Sequence, residues 1–101
     1  MEFYFESVPY VAVIGDIVAS KALGERAEVQ RRLERVLRHI NEAYAADVAS
    51  RFMITLGDEF QGLLRTGEQA ADIVEHIERA MHPVRMRFGL GVGPITTEID
   101  A

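Results

Sequence analysis

Three acids stand in or beside stretches of sequence otherwise selected for burial. Asp16 interrupts the apolar run Tyr10 to Val18 (YVAVIGDIV), and Asp58 and Glu59 lie between Phe52 to Leu56 (FMITL) and the apolar end of Glu59 to Leu64 (EFQGLL). A carboxylate left unpaired in such surroundings costs several kcal/mol, so each needs a neutralising partner. A hard divalent cation is one answer. Mg²⁺, or Mn²⁺, takes one or two carboxylates, keeps water on much of its shell and reserves positions for substrate phosphates. The backbone carbonyl of Ile17 is a further candidate oxygen. After Asp16 comes Val18 to Gly24 (VASKALG), whose backbone N–H groups, Ser20 hydroxyl and Lys21 ammonium suit a phosphate chain. Ordinary structure offers a second account of the same residues. Asp in a two-residue hairpin is common turn chemistry, and Asp16 is equally able to cap the following turn or to pair with an arginine. Spacing alone leaves both accounts open.

The elements around these acids determine whether they can meet. Tyr10 to Val18 reads as a β-branched strand buried on both faces, in the middle of a sheet. From about Glu25 to Val48, Val29, Leu33, Val36, Leu37, Ile40, Tyr44 and Val48 recur at three- and four-residue steps, the stripe of an amphipathic helix. Phe52 to Leu56 and Glu59 to Leu64 form strands joined through Gly57-Asp58, a tight hairpin turn. Thr66 with Gln69 three residues on has the form of a capping box, ahead of a helix ending near Met81 at His82-Pro83. Val84 to Val92 (VRMRFGLGV) alternates as a fourth, half-buried strand.

The order β-α-β-β-α-β predicts an α+β, ferredoxin-like fold: an antiparallel sheet in spatial order 4-1-3-2 with both helices on one face. Strands 1 and 2 then run the same way. The Gly57-Asp58 turn therefore lies at the sheet edge where strand 1 also finishes, bringing Asp58 to Asp16 from 42 positions away. The other sheet face is left open and partly apolar, which on so small a domain points to self-association or to a missing segment.

Composition narrows the function classes. At 101 residues there is room for one domain, and 49% apolar with 27% charged residues is a globular balance. A net charge of -5 argues against nucleic acid as a partner of this domain, because phosphate-coating proteins carry surplus Lys and Arg. The absence of cysteine excludes disulfide frameworks, zinc-thiolate sites and thiol catalysis. The acidic N-terminus lacks the basic start of a signal peptide, and no run approaches a membrane span; the expectation is a cytoplasmic protein with no membrane partner.

Three blocks, Tyr10 to Lys21, Phe52 to Leu64 and Arg87 to Thr97, resemble the bacterial SatD family in order and over most of the chain. More distantly they are similar to the catalytic domains of class III nucleotide cyclases and GGDEF diguanylate cyclases. There a strand-1 Asp and a Gly-Asp hairpin bind two metal ions and a nucleoside triphosphate. The resemblance places Asp16 at the first of these positions and Asp58 at the second, with Gly57-Asp58-Glu59-Phe60 similar to the last four letters of GGDEF. Leu56 stands where that family has its first glycine, which argues against cyclic-dinucleotide synthesis. The Asn and Arg that steady the transition state in class III cyclases are not identifiable here. SatD relatives are generally longer, so the expectation is a single domain over residues 1–101, truncated after the fourth strand as a fifth begins at Gly93 to Ile99.

The resemblance thus implies a metal-dependent nucleotide-binding domain: Mg²⁺ or Mn²⁺ at Asp16, the Ile17 carbonyl and Asp58, with Glu59 supporting and Ser20 and Lys21 on phosphate. Nucleotidyl or phosphoryl transfer is the reaction class implied, and a homodimer through the open sheet face is the assembly implied. The alternative is a non-catalytic sensor or dimerisation domain of a regulatory, for instance transcriptional, protein. Other features read as structure. The helix-1 arginines alternate with glutamates at i, i+4, as in Glu28 with Arg32 and Glu34 with Arg38, a solvated face. His39, His76 and His82 are scattered without a pairing motif. Gly89, Gly91 and Gly93 suit close backbone packing at a partner surface, not a dinucleotide fingerprint, since Pro94 blocks the helix start.

Overall fold

In a computed structural model, residues 10–18 and 26–93 are described; Ser20, Lys21 and the proposed fifth strand after Gly93 lie outside them. The elements are β1 (Tyr10–Ile17), α1 (Arg26–Ala43), β2 (Val48–Leu56), β3 (Glu59–Leu64), α2 (Ala70–Met81) and β4 (Met86–Gly93). The sheet order is β2-β3-β1-β4 with every neighbouring pair antiparallel. That is the expected 4-1-3-2 arrangement read from the other edge, so the α+β ferredoxin-like prediction holds.

One face of the sheet carries the core. Val11, Val13 and Ile17 of β1, Phe52 of β2, and Phe60 and Leu64 of β3 pack beneath Leu33, Leu37 and Ile40 of α1 and Ile73, Ile77 and Met81 of α2. Burying each large aliphatic side chain contributes about 1.5–3 kcal/mol, whereas an exposed ion pair contributes about 1 kcal/mol or less. Packing, not charge pairing, therefore holds the helix layer to the sheet.

β1 departs from its expected burial on both faces. Its pattern alternates strictly, and Ile14 on the open face is 46% exposed. The apolar run is continuous because the open face also carries Ala12 and Ile14, not because helices cover it. Gly15 has a steric cause: a side-chain carbon there would overlap the ring of Phe60.

The first helix is shorter than its stripe. It ends at Ala43, and Tyr44 to Asp47 form a turn in which the N–H groups of Asp47 and Val48 both donate to the Tyr44 carbonyl. Val48 belongs instead to β2, opposite Leu64, so β2 starts four residues before the predicted Phe52. β4 likewise starts at Met86, not Val84. The capping box is also corrected. Gln69 is the N-cap of α2 and makes no side-chain cap bond, while Thr66 is engaged with the turn before β2. Its N–H and hydroxyl both donate to Asp47 Oδ1, at 3.2 and 3.1 Å, tying the end of β3 to the start of β2.

Two polar side chains join elements in ways the sequence conceals. Asn41 of α1 clasps the backbone of edge strand β2: Phe52 N–H donates to Asn41 Oδ1 at 2.7 Å, and Asn41 Nδ2 donates to the Phe52 carbonyl at 2.9 Å. The clasp covers a stretch of open strand edge. Arg32, expected to pair with Glu28, donates instead to the carbonyls of Ala80 (2.8 Å) and His82 (2.9 Å) at the end of α2. Glu28 pairs with Arg31. The histidines are less scattered than their spacing implies, since His39 and His76 approach to a ring-centroid distance of 5.1 Å across the two helices. Among the described residues no helix is long and apolar enough to cross a membrane.

Candidate functional site

The end of β1 and the β2–β3 turn form one corner of the sheet. The N–H of Ile17 donates to the Asp58 carbonyl at 3.2 Å, just beyond the last register pair, Asp16 with Glu59. A strand residue sends its N–H and C=O to the same side, so the Ile17 carbonyl also faces the hairpin, while its side chain is buried in the core. Gly57 makes the tight turn possible. Its φ of +53° lies in the left-handed region that side-chain-bearing residues rarely occupy.

Each carboxylate has a different set of partners. Asp16 projects from the open face, where Arg87 of β4 grips it with two bonds, Nε to Oδ1 at 3.1 Å and Nη2 to Oδ2 at 2.9 Å. Register explains the grip, because Arg87 is the β4 partner of Asp16. The hydrogen bond to Asp16, and then its negative charge, raise the guanidinium pKa above its already high ordinary value. Asp58 is reached from the helix layer. Arg26 Nη2 approaches its Oδ2 at 3.3 Å, and Gln30 donates to its Oδ1 at 3.5 Å and to the Gly57 carbonyl at 3.0 Å. Glu59 is exposed on the open face directly opposite Asp16.

Asp16, Ile17, Asp58 and Glu59 thus come together at one end of the sheet, with Asp16 and Asp58 each facing an arginine. Among the described residues no three metal-ligating side chains cluster closely enough to hold an ion by themselves. The available donors are two carboxylates, a backbone carbonyl and a supporting acid, all hard oxygens of the kind Mg²⁺ and Mn²⁺ accept. Both arginines are largely exposed, 73% for Arg87 and 57% for Arg26, so either guanidinium can move into solvent without disturbing the core. By donor type these residues suit a divalent ion, with Asp16 on the open face and Asp58 turned toward α1.

Sequence spacing identified the acids but not their present counter-ions. An arginine partner for Asp16 was one of the open alternatives; which arginine it is follows only from the β1–β4 register. Gln30 and Arg26 carry no local signal of their role, since they reach Asp58 from 28 and 32 positions away.

Beside the corner the open face is apolar. Ile14, Met53 and Leu56 are 46, 49 and 74% exposed, and Ala12, Ile14, Met53 and Leu63 help line a shallow hollow of about 240 Å³. Gly89, Gly91 and Gly93 continue this face on β4, opposite Ile14, Ala12 and Tyr10, and among the described residues nothing packs above their α-carbons.

The SatD family model matches residues 10–101. No protein of curated function matches the sequence. Among solved structures, the dimeric guanylyl cyclase domain of the RhoGC fusion protein from the aquatic fungus Blastocladiella emersonii superposes with a TM-score of 0.64 at 19% identity, over 87% of this chain and 59% of that one. A bacterial light-regulated adenylyl cyclase superposes with a TM-score of 0.58, also at 19% identity, over 85% of this chain and 30% of that one. At this identity the likeness is one of fold, and the chain spans 59% and 30% of the lengths of those two proteins.

Proposed function

The chain belongs to the SatD family, and on that premise we propose that it is a nucleotide-cyclase-like domain that binds a nucleoside triphosphate together with Mg²⁺ or Mn²⁺ at the Asp16–Asp58 corner. One observation carries the reading: the hairpin turn is fastened to the end of β1 by the Ile17 N–H to Asp58 carbonyl bond, which brings the residues Asp16, Ile17 and Asp58 to one sheet edge. The fold shared with guanylyl and adenylyl cyclase domains supports it.

Asp16, Asp58 and the Ile17 carbonyl would hold the cation, with Glu59 adding negative charge beside them. When bound, such a cation neutralises phosphate charge and lowers the barrier to attack at phosphorus. The protein's own part is positional. β1 and the hairpin fix the carboxylates on the sheet, and Ser20 and Lys21, which follow β1 in sequence, would hold phosphate oxygens. If the bound triphosphate reacts, the class is nucleotidyl or phosphoryl transfer. Because charge stabilisation at the transferring group is often the largest catalytic contribution, nucleotide binding is the primary claim and turnover the secondary one.

The exposed apolar stripe through Ile14, Met53 and Leu56 supports a homodimer through the open face. The same stripe favours a second reading, a dimerisation or sensor domain of a regulatory protein in which nucleotide is a signal and not a substrate. Titrating ATP and GTP with and without Mg²⁺, followed by an assay for released pyrophosphate, separates the two. Metal-dependent binding with release supports the enzyme, and binding alone supports the sensor.

A further inference from the structure

Resting on that reading of the corner, we propose that Arg87 competes with the cation for Asp16, so that the domain discriminates against a free divalent ion in favour of one delivered with a triphosphate. Glu59, Asp16 and Arg87 lie in one row across β3, β1 and β4 on the open face. The Ile17 N–H to Asp58 carbonyl bond makes Asp16 and Glu59 a non-hydrogen-bonded pair, the closely spaced kind, whose side chains start about 4.5–5.5 Å apart. Two carboxylates directly opposite repel, and Arg87 supplies the positive charge that completes the row.

Its geometry also closes the site. Arg87 takes both oxygens of Asp16, Oδ1 through Nε and Oδ2 through Nη2, so no cation gains a full share of that carboxylate until the fork opens. The pair is solvent-facing, with Arg87 73% and Asp16 29% exposed, which makes it a weak clamp and an exchangeable one. A free cation that opens the fork leaves the guanidinium without a partner. A cation arriving with a triphosphate brings phosphate oxygens, which match the planar fork of arginine in geometry and charge. Arg87 then exchanges one anion for another at the same corner, and metal and nucleotide bind cooperatively.

The test measures Mn²⁺ binding to the full chain, alone and in the presence of a non-hydrolysable ATP or GTP analogue, for wild type, Arg87→Gln and Arg85→Gln. Arg85 is an exposed β4-side arginine that controls for loss of one positive charge. The expected result is that Arg87→Gln binds free Mn²⁺ about two- to fivefold more tightly than wild type. The enhancement of Mn²⁺ binding by the analogue shrinks by a similar factor, and Arg85→Gln stays near wild type. Equal or weaker free Mn²⁺ binding by Arg87→Gln, in a protein whose wild type does bind the metal–nucleotide pair, overturns the competition while leaving the corner's function intact. Absence of metal–nucleotide binding in wild type overturns both. Should Arg87→Gln not fold, the Nε–H NMR signal of Arg87 in wild type decides the matter. It shifts on addition of metal with analogue if the fork opens, and a signal unmoved at saturation contradicts the proposal.

Discussion

Ile17 and Asp58 share a single backbone hydrogen bond of 3.2 Å, and through it the turn between β2 and β3 is fastened to the end of β1. The bond joins residues 41 positions apart without using either side chain. It leaves Asp16 free to project from the open face and Asp58 to meet α1, so one corner presents acids to two sides.

The turn that makes this contact depends on Gly57. Its φ of +53° penalises any residue with a β-carbon, so Gly57→Val is expected to lower stability by about 1–2 kcal/mol and to weaken nucleotide binding beyond what the loss of stability explains. Urea denaturation paired with a binding titration checks both effects. Unchanged stability would show that the turn has another way to close.

Gly15 is constrained by sterics instead of backbone angle. The Phe60 ring occupies the space of a side chain at that position, so Gly15→Ala must displace a fully buried aromatic. Overpacking of this kind costs typically about 1–3 kcal/mol. For a domain of this size that corresponds to a fall of roughly 4–20 °C in melting temperature, measurable by circular dichroism.

Asn41→Ala removes the clasp on β2 and leaves the N–H and carbonyl of Phe52 without their partner. The expected loss is about 1–3 kcal/mol, accompanied by concentration-dependent association through the uncovered strand edge. Chemical denaturation and light scattering read the two effects separately. A variant as stable and as monodisperse as the parent would remove the clasp from the account.

Much of this architecture is legible in the sequence. Alternation in β3 and the stripes of both helices fix the element order, and right-handed crossovers then place Asp16 and Asp58 at the same sheet end. What is not legible depends on contacts remote in sequence. The helical stripe runs on through Tyr44 to Val48, yet the helix stops at Ala43 because Val48 finds a partner in Leu64 and Asp47 is bound by Thr66. No local pattern announces those partners. Arg32 looks like half of an i, i+4 pair with Glu28 but has two carbonyls of α2 within reach, and the closure of the helix layer decides between them. The acids of the site were visible by type, whereas their counter-ions emerge only when register sets Arg87 beside Asp16.

The open face makes its own prediction. Ile14→Asp together with Met53→Asp places charge on two half-exposed positions outside the core, so folding should be little affected while self-association is lost. Analytical ultracentrifugation is expected to show a dimer for the wild type and a monomer for the double variant. A wild type that stays monomeric at every accessible concentration would dissociate this face from self-assembly.

The central claim is tested most directly by isothermal titration of ATP and GTP into the protein in the presence and absence of Mg²⁺, on wild type, Asp16→Asn and Asp58→Asn. The account predicts binding that requires the metal and is weakened at least tenfold by either substitution, because each removes a charge from the cation's oxygen shell. Binding that ignores both the metal and the two substitutions, or no binding by the folded wild type, would contradict it.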